Sequence, residues 1–175
     1  GTGVISSEID DGSIVYLLAK PVPRRTIIAS KLLVAWGAAV VLAVVPVVAA
    51  VQIAGDDGGR LGAAFGLAAL LAALAYTTIF VALSVATRNA VIVGLLYALL
   101  WEGVLGGYVP GVRNVSVRQW ALAAAERVLG ADAASWGVVS AVGLPSAVAL
   151  LVVATAGAFV LAVRRLQTLR LTTGD

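Results

Sequence analysis

Residues 27–53 read IIASKLLVAWGAAVVLAVVPVVAAVQI, a run of apolar and small side chains holding one lysine, one serine, one proline and one glutamine. At about 1.5 Å per residue, a helix of that length rises about 40 Å. A bilayer's hydrocarbon core is about 30 Å thick. The run therefore reads as a membrane-crossing helix, with Lys31 snorkelling back to the interface and Pro46 removing a backbone bond and kinking it. The rest of the chain agrees: 61% of its 175 residues are hydrophobic and 12% are charged, against about 25% charged in a soluble domain.

Three further apolar runs follow, expected as spans over 61–86, 90–107 and 138–163. The run over 90–107, the third span of the four, is near the minimum length for crossing. AGDDGGR (54–60) and Thr87-Arg88-Asn89 are the turns between the first three. Between the third and fourth lies an outer segment, 108–137, opened by Pro110-Gly111. Within it Val117, Trp120, Ala121, Ala124 and Val128 recur at helical spacing, with Arg118, Glu126 and Arg127 off that face and Ser116 as N-cap. This predicts an amphipathic, re-entrant or interfacial helix with Trp120 and Trp136 as belt residues; the bland alternative is a surface loop. The fold class expected is an all-α integral membrane protein of about four transmembrane helices, a single domain over 1–175. Residues 1–26 form a cytoplasmic amphipathic contact segment and 164–175 a tail.

The twelve Lys and Arg residues divide by side. Lys20, Arg24, Arg25, Lys31, Arg88, Arg164, Arg165 and Arg170 fall on one; Arg60, Arg113, Arg118 and Arg127 fall on the other. The positive-inside rule makes the richer side, with both ends of this stretch, cytoplasmic. A multi-pass protein of the plasma or inner membrane is expected. The basic residues flank spans rather than cluster, so nucleic acid is not an expected partner; lipid is. The chain opens on Gly1 rather than Met, with no Lys/Arg-led signal peptide, and reads as a piece of a longer protein.

Catalytic chemistry is hard to find. Cys, Met and His are all absent, which removes thiol nucleophiles, disulfides, zinc-thiolate sites and the usual proton shuttle. There is no G-x-x-x-x-G-K-[ST], H-E-x-x-H, EF-hand loop or G-x-S-x-G elbow. No enzyme activity, metal or cofactor is expected of this chain. Glu102, in Trp101-Glu102-Gly103, is the one carboxylate inside a span. A carboxylate in lipid is costly and usually functional. It lines a path or ties its span to the outer segment through Arg113 or Arg118; alternatively it reaches water at headgroup depth. Gly62-x-x-x-Gly66 and Gly103-x-x-x-Gly107 match the small-residue packing motif, a match that chance also supplies in a sequence with 19 Gly.

Working outward toward the N-terminus, Glu8-Ile-Asp-Asp-Gly-Ser-Ile-Val-Tyr-Leu-Leu-Ala-Lys-Pro-Val-Pro-Arg-Arg precedes the first span. Ile14, Leu17 and Leu18 supply an apolar side, Pro21 a defined end, and Glu8, Asp10, Asp11, Arg24 and Arg25 the charge. That suits a contact helix at the membrane's inner face; the bland alternative is a juxtamembrane loop.

The ordered set Glu8, Gly12-Ser13, Leu17-Leu18, Pro21-Val22, Arg25 and Lys31 resembles the cytoplasmic segment of type-2 ABC exporter permeases. Tyr97-Ala-Leu-Leu-Trp101-Glu102 resembles a later span of that family. The resemblance covers the whole chain and implies that its spans are the last four of six, with two missing before Gly1. It implies two permease chains (self or a paralogue) paired above two P-loop ATP-binding subunits, with ATP and Mg on those subunits. Glu8, Asp11, Gly12, Ser13, Leu17, Leu18, Pro21 and Arg25 would be the ATPase contact, and 90–107 would contribute to the central path. The alternative from another class is a non-transporting membrane anchor or scaffold for a soluble partner. An intramembrane enzyme or proton-coupled carrier lacks the His, Cys and deep carboxylates it would need.

Overall fold

The computed structural model describes residues 23–54, 58–105 and 110–168. They are helical almost throughout, with no strand among them. In chain order the elements are α1 (Arg24–Ala39), a π turn (Val40–Val44), α2 (Val45–Ala54) and α3 (Gly58–Ala86). Next come α4 (Ala90–Leu96), a π-wound segment (Tyr97–Leu105), the short α5 (Pro110–Arg113), α6 (Val117–Leu129) and α7 (Leu144–Thr168). The contact segment's Glu8, Asp11, Gly12, Ser13, Leu17, Leu18 and Pro21 lie outside the described residues, as does Arg170 of the tail.

Three of these helices are long and apolar enough to cross a membrane, Arg25–Ile53, Gly59–Ala86 and Leu144–Gln167; Ala90–Val104 is a shorter apolar helix. The all-α membrane class is the one observed. Pro46 does not break the first long helix. It has no N–H to give the Leu42 carbonyl, and just before it the chain widens by one π turn, with the Val45 N–H bonded to the Val40 carbonyl five residues back.

The central helix is α3, packed against α1, α2, α4, α6 and α7. Its Ala- and Gly-rich sequence explains this, because small side chains let several helices approach one backbone. Its buried hydroxyls are satisfied within the helix: Thr77 donates to the Ala73 carbonyl, Thr78 to Leu74 at 2.7 Å and Ser84 to Val81 at 2.7 Å. Those three hydroxyls are thereby not left bare in lipid. In contrast, Leu33, Val41, Leu42 and Ile53 on the first long helix are exposed, as are Val91, Leu95 and Leu99 on the fourth. Those faces suit hydrocarbon.

Two ends of the bundle differ. At one, Ile27, Ile28, Val81, Val85, Ala162 and Leu166 bring the start of α1 and the ends of α3 and α7 together. At the other, Leu61, Ala64 and Ala68 of α3 pack against Ala121, Ala125 and Leu129 of α6. The segment read as an interfacial helix is α6, but it is more deeply packed than that reading supposed. Trp120, expected as a belt residue, is buried and donates its indole N–H to the Asn114 carbonyl at 2.8 Å; Trp136 is half exposed. The last helix starts at Leu144 rather than Val138, because Pro145 takes a first-turn position that needs no donor.

Candidate functional site

The site grows from α6, a helix with 13 residues whose two ends are held by charges from elsewhere in the chain. Any helix leaves its first N–H groups and last carbonyls without internal partners. Where those ends are screened from water, other groups must serve them.

At the N-terminus Ser116 occupies the N-cap position, as its sequence predicts, yet its side chain makes no bond to its own helix. Its hydroxyl donates instead to Glu102 Oε2, and the Val117 N–H donates to Glu102 Oε1 at 2.9 Å. Glu102 therefore caps α6 across the fold. A carboxylate at a helix N-terminus is also favoured by the helix dipole. The indole of Trp101, one residue earlier, donates to the Val115 carbonyl at 3.4 Å. Glu102 thus ties its span to the outer segment through Ser116 and a backbone amide, not through an arginine. Arg118 sits nearby, sharing with Glu102 and Tyr76 a cleft of about 310 Å³ walled by Phe65, Ala72 and Leu122.

The C-terminus is held in the opposite sense. Arg60, in the first turn of α3, donates from Nη2 to the Leu129 carbonyl at 2.9 Å and from Nη1 to Asp132 Oδ2 at 3.0 Å. A cation at a helix C-terminus is the complementary dipole contact. The middle of α6 is tied as well. The Gln119 side-chain carbonyl accepts the Ala141 N–H at 3.0 Å, the Gln119 backbone carbonyl accepts the Ser140 hydroxyl at 2.9 Å, and Glu126 Oε2 accepts the Ser140 N–H at 3.0 Å. A larger apolar cleft of about 630 Å³ lies between α3 and α1 and shares Ala69, Ala72 and Tyr76 with the smaller one. Its walls are mostly alanine, with Tyr76, Thr77 and Phe80 at one end.

This arrangement is a short helix pinned among spans, with one span tied to its start through Trp101 and Glu102. A model for the ABC-2 family transporter protein matches residues 1–168. The chain belongs to that family. Comparison with curated proteins and with solved structures finds no match. Membership makes this a membrane component of an ABC transporter, a class that works with an ATP-binding subunit.

Within this ABC-2 permease, the structure locates two of the residues singled out from sequence. Arg25 is exposed in the first turn of α1 and Glu102 caps α6, so they lie on different elements. Among the described residues no group of three His, Cys, Asp or Glu side chains could hold a metal. Sequence reasoning missed Arg60, Gln119 and Ser140. Arg60 did carry a signal: a cation in the first turn of a helix opposes that helix's dipole, so its place has to be explained by a contact elsewhere.

Proposed function

We propose that this chain is a permease subunit of an ABC exporter, moving substrate across the plasma or inner membrane with ATP hydrolysed on a separate subunit. The carrying observation is the family match, which runs through the contact segment as well as the spans. The absence of any P-loop in the sequence supports placing ATP and Mg on the partner. The chain itself then has no catalytic site and binds no cofactor.

In this reading Glu8, Asp11, Gly12, Ser13, Leu17, Leu18, Pro21 and Arg25 meet the ATPase on the cytoplasmic side. Supporting that orientation, Arg25, Lys31, Arg88, Arg164 and Arg165 flank the Ile28–Val85–Leu166 end of the bundle. The acids of the described residues, Glu102, Glu126 and Asp132, belong to the opposite end. The positive-inside rule puts the basic end in the cytoplasm. A second permease chain would cover part of the exposed apolar face of α4 and its π-wound extension. ATP-driven closure of the ATPases then moves the spans as rigid bodies.

The test is a pull-down of the full-length gene product from mild detergent, beside a variant carrying Leu17→Asp and Leu18→Asp. The expected result is a P-loop ATPase with the wild type, lost with the variant, together with loss of transport. An ATPase bound equally by both would remove the proposed contact. No ATPase with either would favour a membrane anchor for some other soluble partner.

A further inference from the structure

Tyr97-Ala-Leu-Leu-Trp-Glu-Gly-Val-Leu105 is wound as a π-helix over 9 residues. Single π turns are the usual form, and they gather at functional positions. Nothing local demands this winding. The stretch holds no proline, and its three leucines and one alanine are good α-helix formers. What opposes α winding is tertiary. Glu102 reaches Ser116 and Val117, and Trp101 reaches Val115, all beyond the far end of the segment. We propose that Tyr97–Leu105 is a two-state element: its π-wound form latches α6 through Glu102, and rewinding to an α-helix releases it.

The geometry sets the size of the switch. A π-helix bonds five residues back rather than four, so each residue turns less about the axis than the 100° of an α-helix. Over the five residues from Tyr97 to Glu102 the accumulated difference is roughly 60–90°. A carboxylate about 5–6 Å from the helix axis then moves about 5 Å or more. That far exceeds hydrogen-bond reach of about 3.2 Å, so both bonds to α6 break together. The released Val117 N–H and Ser116 hydroxyl lose their acceptor at the helix end that the dipole makes positive. Winding of the span and docking of α6 are therefore one equilibrium, biased from either side. Glu102 acts through α6 and is a positioning residue. Arg60 holds the far end of α6, so release at Glu102 pivots the helix instead of freeing it.

The inference stands on the fold alone and does not depend on the ATPase reading. Its test is hydrogen–deuterium exchange of the full-length protein in lipid nanodiscs, with whatever subunits accompany it, comparing wild type, Glu102→Ala and Ser116→Ala. In Glu102→Ala, exchange over 116–120 is expected to rise roughly five- to tenfold, the effect of losing a helix cap. Exchange over 97–105 is expected to fall, because the segment winds into the α form its sequence prefers. Ser116→Ala should move both in the same opposed directions by less. A residue that merely holds structure would loosen both segments together. That outcome, or no change at 97–105, overturns the proposal. Unchanged exchange over 77–85 of α3 confirms that each variant is folded; if Glu102→Ala is not, the Ser116→Ala comparison decides.

Discussion

Glu102 Oε1 accepts the Val117 N–H at 2.9 Å, so the first amide of α6 is capped by a side chain 15 residues earlier in the sequence. The span carrying that carboxylate runs from Ala90 to Leu105. It is shorter than the three helices long and apolar enough to cross a membrane, and Glu102 lies inside it. Trp101 and Glu102 bond there to the start of α6. A charge at that depth is tolerable because two donors meet it, and a helix end is tolerable there because a charge meets it.

The other end of α6 allows the two bonds of Arg60 to be separated. Asp132→Ala removes only an exposed ion pair, both of whose side chains are more than half exposed, and should cost less than about 1 kcal/mol. Arg60→Ala also strips the Leu129 carbonyl of its donor and should cost about 1–2 kcal/mol. Thermal unfolding of both variants in detergent, at two salt concentrations, checks this. Equal losses would mean that the ion pair, not the helix cap, is what Arg60 supplies.

Gln119 is buried on α6, and its side chain and backbone carbonyls both hold the extended strip before α7. Gln119→Leu keeps the volume but leaves the Ala141 N–H without an acceptor, an expected loss of about 1–3 kcal/mol. Gln119→Glu keeps an acceptor and should lose less. Proteolysis between Ser135 and Gly143 is the sensitive readout: cleavage should increase in the leucine variant well before the spans unfold. A leucine variant as resistant as the wild type would show that the strip is held by Glu126 and apolar packing alone.

Legibility in the sequence tracked how local the governing physics was. Apolar length identified the long helices because lipid solvation acts on each segment separately. The recurrence of Val117, Trp120, Ala121 and Ala124 located α6, and Ser116 marked its start. How deep α6 sits was not readable: Trp120 looks the same in a headgroup belt as in a core. Nor was the tie from Arg60 to Leu129 and Asp132, across 69 and 72 residues, since nothing local selects that partner. The winding of Tyr97–Leu105 was hidden for a sharper reason: its composition favours the α form. Apolarity alone also ran the last helix back to Val138, where Ser140 is instead bonded to Gln119 and Glu126.

Orientation can be read with single cysteines, since the chain has none of its own to obscure the labelling. Ser135→Cys lies on an exposed turn beyond α6, and Asn89→Cys lies on the exposed turn between α3 and α4. With the basic end cytoplasmic, an impermeant maleimide should label position 135 in intact cells and position 89 only after permeabilisation. The reverse pattern would invert the protein and place the contact segment outside, where no ATP-binding subunit could reach it.

Of the two glycine pairs, Gly107 lies outside the described residues; the other three glycines separate on facing, and this gives a graded prediction. A Cβ at Gly66 would lie 2.9 Å from Val48 Cγ2, while one at Gly62 would lie 3.6 Å from Gln52 and 3.8 Å from Val48. Both point at α2, so Gly62-x-x-x-Gly66 is a close-packed face of α3. Gly103 faces no other element; its nearest neighbour is the Ala98 carbonyl of its own helix at 3.8 Å. Valine in a helix has essentially one rotamer, so Val48 cannot swing aside and α2 itself must move. Gly66→Ala should therefore destabilise by about 1–3 kcal/mol, the usual cost of overpacking. At Gly62 the ordinary contact leaves room, and the helix-propensity gain of about 0.5–1 kcal/mol should win or cancel. Gly66→Leu should separate α2 from α3 outright, and Gly103→Ala should leave that interface untouched. Thermal unfolding of the four variants orders them, and loss of a disulfide engineered between α2 and α3 reports the separation directly. Equal tolerance at Gly62 and Gly66 would show that α2 does not pack on this face in the membrane.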